Sequence, residues 1–137
     1  MLEDEGLAQV YARHARIAGG VRQAVAAWGM RPCAVTPDLY SDTVTAVVVP
    51  EGCNGTDLVK LAADTYGMAF GVGLGEVAGK VFRIGHLGML TEPIMLSGLA
   101  TAEMCMADLG WPVRLGSGVA AAQAFYRKGP QAAKAAA

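Results

Sequence analysis

A chain of 137 residues has room for one domain, which can bury roughly two thirds of the surface exposed by its unfolded form. With 53% apolar and 17% charged residues it is more apolar than an ordinary soluble domain, yet no run approaches the ~20 uninterrupted apolar residues of a spanning helix, so a covering partner surface is expected rather than a membrane. A net charge of −1 with interspersed signs argues against nucleic acid, and three widely spaced cysteines without a Cys-x-x-Cys argue against a disulfide frame or a zinc site.

In chain order, Met1-Leu2-Glu3-Asp4-Glu5 is acidic and no signal-peptide pattern follows, so a cytoplasmic chain with reduced thiols is expected. Leu7, Val10, Tyr11, His14, Ile17, Val21, Val25 and Trp28 recur at three- and four-residue steps, predicting an amphipathic helix that ends at Gly29 with Pro32 beyond it. Arg13, Arg16, Arg22 and Gln23 fall on the other side and read as a solvated face. Residues 43–49 (TVTAVVV) are β-branched and unbroken, the clearest strand. Asn54 reads as an N-cap, Leu58, Leu61, Ala62 and Tyr66 as a short helix face, and Gly67 as its stop. Residues 68–70 predict a short strand and residues 71–79 a glycine-rich loop. Residues 80–84 (KVFRI) alternate, placing Val81 and Arg83 on one face and Phe82 and Ile84 on the other.

Thr91, Glu92 and Pro93 open a further helix over residues 94–109, apolar nearly all round and therefore buried on more than one side. Gly110 and Pro112 end it, and after Gly116-Ser117-Gly118 a last helix is predicted over residues 119–126. The expected fold is α+β, a small, mainly antiparallel sheet with helices banked on one face. Residues 1–29 form its long connecting helix, 30–128 the α+β body and 129–137 a frayed alanine-rich tail.

The glycine loop fits neither phosphate-binding motif. A dinucleotide fingerprint through Gly71 and Gly73 needs glycine where Glu76 stands, and a P-loop ending at Gly79-Lys80 meets Leu74 and Val81 at required positions. A flexible strand-to-strand connection is the simpler reading; the other is that glycines admit a ligand close to the backbone. Arg83 carries the strongest chemical signal. A permanent charge in mid-strand needs an anion, either a ligand carboxylate gripped by its fork or an internal ion pair with Glu76, Glu92 or Glu103. His86 reads as a general base, a ring over a ligand or a structural group; His14 reads as structural. No catalytic triad order and no metal-ligand cluster stands out.

The run Gly73-Leu74-Gly75-Glu76-Val77-Ala78-Gly79-Lys80-Val81-Phe82-Arg83-Ile84-Gly85-His86-Leu87-Gly88 resembles the C-terminal signature of class V pyridoxal-phosphate aminotransferases of the serine–glyoxylate and alanine–glyoxylate type. The likeness extends back through Tyr11-Ala12-Arg13-His14 and Thr43-Val44-Thr45-Ala46-Val47, and forward through Gly116-Ser117-Gly118-Val119-Ala120.

This resemblance implies the C-terminal small domain of a fold-type I aminotransferase. Arg83 would bind the α-carboxylate of an amino or 2-oxo acid, and Gly73, Gly75 and His86 would lie near the active-site mouth. Such enzymes are homodimers whose large domain holds pyridoxal phosphate on a lysine and transaminates by a ping-pong route, with the cofactor as electron sink. Met89 departs from the polar residue common in close relatives, which leaves substrate preference open. None of Lys60, Lys80, Lys128 and Lys134 stands in the family's cofactor-lysine context, so the expectation is a separated domain with no catalytic residue of its own. It would be inactive without its large-domain partner or a second subunit and would bind no cofactor alone. A stand-alone, non-catalytic carboxylate-binding or protein-interaction module is the alternative.

Overall fold

The computed structural model describes residues 2–135. The first helix is divided. Gly6, at φ 81°, separates a short α1 (Leu2–Glu5) from α2 (Leu7–Ala27). Val10, Ile17, Val21, Val25 and Trp28 are buried as their spacing requires, whereas Leu7 and Tyr11 at the start of α2 stay exposed.

Four strands follow: β1 (Arg31–Pro32), β2 (Val44–Val48), β3 (Gly71–Val72) and β4 (Val81–Gly85). They form one antiparallel sheet in the order β1-β2-β4-β3. Strand β1 carries no period to read, and Pro32 lacks an N–H, which suits an edge strand. The expected strand at 68–70 forms later, at β3. Met68 N–H still bonds to Ala62 O of the preceding helix, so the chain is free to pair with β4 only from Gly71.

That helix, α3 (Gly55–Tyr66), is set by its ends. Asn54 accepts from Thr56 N–H at 2.9 Å, and Gly67 adopts φ 63°. The longer α4 (Glu92–Asp108) starts after Thr91, whose side chain makes no capping bond. It packs against α2, α3 and α5 (Ser117–Ala135), which satisfies its all-round apolar sequence, although Ile94 and Met104 remain exposed. Helix α5 is longer than the expected 119–126; of the tail expected to fray, residues 136 and 137 lie outside the described residues. It crosses α2 closely because Gly19 and Gly20 leave room for the Phe125 and Tyr126 rings, where a Cβ would collide.

Register fixes what each sheet face does. Thr45 pairs with Ile84, Ala46 with Arg83 and Val47 with Phe82. Thr45, Val47, Phe82 and Ile84 turn toward the helices and are buried, the last three with Leu58, Leu99, Met106 and Trp111 in one core. Each large apolar side chain buried there contributes about 1.5–3 kcal/mol. Val44, Ala46 and Arg83 alternate onto the other face and are half-buried. The alternation expected for residues 80–84 therefore holds.

Candidate functional site

Arg83 sits in the middle of β4, between Ala46 on β2 and Gly71 on β3. Both neighbours are small. A Cβ at Gly71 would lie 3.0 Å from Arg83 Nε, so glycine lets the side chain lie across β3. There Nε donates to Val72 O at 3.0 Å and fixes the guanidinium. Among the described residues its two terminal nitrogens make no hydrogen bond and no ion pair.

The three carboxylates that the sequence offered as internal partners are placed elsewhere. Glu92 pairs with Arg16 at 2.6 Å. Glu103 is buried among the Trp28 indole and the amides of Gly116, Gly118 and Val119. Glu76 is exposed and makes no ion pair among the described residues.

Beside Arg83 a cleft of about 180 Å³ opens among β1, β2, β4 and the segment at residues 39–41. Its walls are largely apolar, with Pro32, Leu39, Tyr40 and Ala46 among them, and a second guanidinium, Arg22, also lines it. Arg22 reaches Asp42 Oδ1 at 3.3 and 3.4 Å and Ser41 O at 3.4 Å, and lies 5.5 Å from the Tyr40 ring centre.

The solvated basic face expected of α2 is thus a correction. Gln23 is exposed, but Arg13, Arg16 and Arg22 are half-buried. Arg13 grips Glu5 with two bonds of 2.7 and 2.8 Å and donates to Gly88 O at 2.6 Å. Arg16 holds Glu92 and the Tyr126 carbonyl. This side of α2 meets the loop after β4, the start of α4 and the segment before β2, so three of its four polar residues became clasps.

The remaining candidates do not line the cleft. His86 is 1% exposed. Its Nδ1 faces Asp42 O at 2.9 Å, a pure acceptor, so Nδ1 carries the proton and Nε2 accepts from the Thr45 hydroxyl at 2.9 Å. Burial, above all, lowers its pKa below the ordinary histidine value. His14 works the same way, donating to Val10 O and accepting from Gly88 N–H.

The glycine loop is a structured turn, not the flexible connection expected. Gly75–Val77 forms a 3-10 turn, with Gly75 at φ 57°. Gly73 is buried against it, where a Cβ would collide with Val77 O. Gly79 O accepts from Gly55 N–H at 2.8 Å, tying the loop to α3. Among the described residues no three His, Cys, Asp or Glu side chains are grouped to hold a metal, and no helix is long and apolar enough to cross a membrane.

No family model matches the chain. Solved structures do match. The ureidoglycine–glyoxylate aminotransferase of Bacillus subtilis superposes with a TM-score of 0.86 over 92% of this chain and 33% of its own, at 24% identity, which shows the fold alone. The pyridoxamine–pyruvate aminotransferase of Mesorhizobium loti gives a TM-score of 0.85 at 34% identity, over 92% of this chain and 32% of its own. The α+β fold is therefore that of a segment of class V pyridoxal-phosphate aminotransferases.

Sequence relatives narrow this further. The L-aspartate–glyoxylate aminotransferase of Paracoccus denitrificans is 65% identical over 95% of this chain and 33% of its own length. Serine–glyoxylate aminotransferases of Hyphomicrobium methylovorum and Arabidopsis thaliana are 52% and 47% identical over 93% of this chain, and over 32% of their own lengths. The chain is homologous to a segment of the serine– and aspartate–glyoxylate aminotransferases, and spans about a third of the relatives it matches.

Proposed function

We propose that this chain is the C-terminal small domain of a glyoxylate-type aminotransferase, a cytoplasmic homodimer when whole, and that Arg83 binds the α-carboxylate of its amino- and oxo-acid substrates. The observation that carries the reading is the state of Arg83. Its Nε is fixed by Val72 O, while among the described residues its terminal nitrogens have no protein partner and the cleft that Arg83 lines has no carboxylate in its wall. A preset fork offers a carboxylate two parallel charge-assisted bonds and loses little entropy on binding. Holding the carboxylate would orient the reacting carbon for chemistry supplied from outside this chain.

The relatives depend on pyridoxal phosphate, so its fit to these residues matters. Lys60, Lys80 and Lys128 are exposed, and no lysine lines a described cleft. The residues described here do not form an anchor for the cofactor, and in this reading it belongs to the remaining two thirds of the enzyme. That large domain or the second subunit would also cover Leu7, Tyr11, Leu87 and Met89, which are 56–69% exposed here. The non-catalytic binding module draws on the same preset Arg83, which needs no second domain to hold its geometry.

The test is a chimera. This chain would replace the corresponding third of the Paracoccus denitrificans enzyme, whose 65% identity makes the junction compatible. We expect transamination, and in the chimera Arg83→Gln should raise KM for amino donor and glyoxylate by roughly a hundredfold or more, about 3 kcal/mol, while cofactor absorbance is kept. An Arg83→Gln chimera with unchanged KM would remove the proposed role. A folded but inactive chimera would favour the binding module.

A further inference from the structure

We infer that His14 is a proton-operated latch on the loop after β4, closed while its Nε2 accepts the Gly88 amide and released when Nε2 takes up a proton. The inference does not depend on the role proposed for Arg83. The loop, residues 86–91, joins β4 to α4. Among the described residues, the backbone of residues 87–90 makes hydrogen bonds only at Gly88. Its amide donates to His14 Nε2 at 3.1 Å, and its carbonyl accepts from Arg13 Nη1 at 2.6 Å. Arg13 is held in turn by Glu5, whose carboxyl that bond keeps below its usual range. Between about pH 5 and 8, then, only the histidine end of the clasp can change its charge.

His14 and His86 both hold this loop with bonds that look alike, but a proton affects them differently. Nδ1 of each faces a carbonyl, Val10 O for His14 at 2.7 Å and Asp42 O for His86 at 2.9 Å. Nε2 of His86 meets the Thr45 hydroxyl, which can turn and accept from a protonated ring. Nε2 of His14 meets a backbone amide, which can only donate. A proton there sets two donors against each other, and the bond is lost. The charged and titratable groups around His14 are Glu5 from α1, Asp42 from the segment before β2, His86 from the loop and Arg13 on α2 itself. The loop carries Leu87 and Met89, 69% and 68% exposed, which with Leu7, Tyr11 and His14 wall a cleft of about 420 Å³. That cleft gives water a route to the ring, and release of Gly88 removes one of its walls.

The test is amide hydrogen exchange on the full 137-residue chain, followed by NMR at pH 7.5 and 5.5. Rates are expressed as protection, which removes the intrinsic pH dependence of exchange. A group that binds its proton only in the open form favours opening by no more than about tenfold per pH unit. We expect Gly88 protection to fall roughly tenfold between the two conditions, in step with the His14 ring resonances, while Val21 and Val25 in the middle of α2 keep theirs. His14→Gln should remove this pH dependence at Gly88, and His86→Gln should keep it. The two rings are also read in the wild type, so the comparison stands even if either variant fails to fold.

A Gly88 amide that is unprotected at pH 7.5, or equally protected at both pH values, would overturn the inference. So would a loss that follows the His86 ring, that survives His14→Gln, or that is shared by the α2 amides.

Discussion

At the α4–α5 junction a carboxylate, Glu103, is 2% exposed and accepts four hydrogen bonds; beside the cleft on β4 a half-buried guanidinium, Arg83, makes one among the described residues. The Glu103 donors are Trp28 Nε1 at 2.8 Å and the amides of Gly116, Gly118 and Val119 at 2.6, 2.6 and 3.2 Å. Those amides lie at the N-terminus of α5, from the residue before it into its first turn, where helix N–H groups lack internal partners and the dipole favours negative charge. One side chain on α4 thereby joins α2, α4 and α5. Both groups are charged and shielded, but only one is saturated. A saturated charge serves the scaffold, whereas an unsaturated one facing a cleft is available to something not in the chain.

The largest way to break this comparison is to remove Glu103. Glu103→Ala leaves a buried indole N–H and the first amides of α5 without acceptors, each costing about 1–3 kcal/mol. Incomplete loss and local relaxation bring the expected total to about 3–5 kcal/mol, read as a lower urea midpoint. A loss under about 1 kcal/mol would show that the amides find other partners and that Glu103 is no more embedded than Arg83.

This junction also shows where sequence reading stops. Asn54 and Gly67 bracketed α3 correctly because cap chemistry is local, and residues 43–49 and 80–84 marked β2 and β4 because a β-branched run and an alternating pattern are local too. The Gly116-Ser117-Gly118 break was visible, but its acceptor lies 13 to 16 residues earlier on another helix, so Glu103 was read only as a possible partner for Arg83. Arg22 was missed for the same reason. Helical spacing says which residues share a face, not that the face will meet the segment at Ser41 and Asp42. Arg83 was legible because a charge inside an alternating strand is anomalous wherever the strand packs. His86, three residues on, carried no such signal; its burial follows from register with Thr45 and from a carbonyl at Asp42.

His86 sharpens the comparison from within the same strand run, since it faces the helices while Arg83 faces the cleft. Burial lowers its pKa most, Arg22 and His14 push the same way, and the Asp42 carbonyl and carboxylate oppose them. A base with a folded pKa below its unfolded value near 6.5 binds fewer protons when folded. Its contribution to stability is therefore complete above about pH 6.5 and is lost as pH falls below that, by at most about 1.4 kcal/mol per pH unit. Urea midpoints at pH 7.5 and 5.5 should differ in the wild type, and His86→Gln should flatten the difference. An unchanged slope in that variant would assign the proton to another group.

The smallest expected effect is the most diagnostic. If Arg83 belonged to an internal ion pair, its removal would strand a carboxylate and cost several kcal/mol. The structure gives it one bond, to Val72 O at the edge of the sheet, so Arg83→Gln should lower stability by less than about 1 kcal/mol, a few degrees in Tm for a domain of this size. A saturating 2-oxo acid such as glyoxylate should then separate the two proteins. A ligand that binds only the folded state stabilises by RT ln(1 + [L]/Kd), about 2.7 kcal/mol at a hundredfold excess over Kd, and only the wild type should gain it. A variant that is badly destabilised in the absence of ligand would mean that Arg83, like Glu103, is saturated by the protein itself, and the distinction between scaffold charge and ligand charge would not hold for this chain.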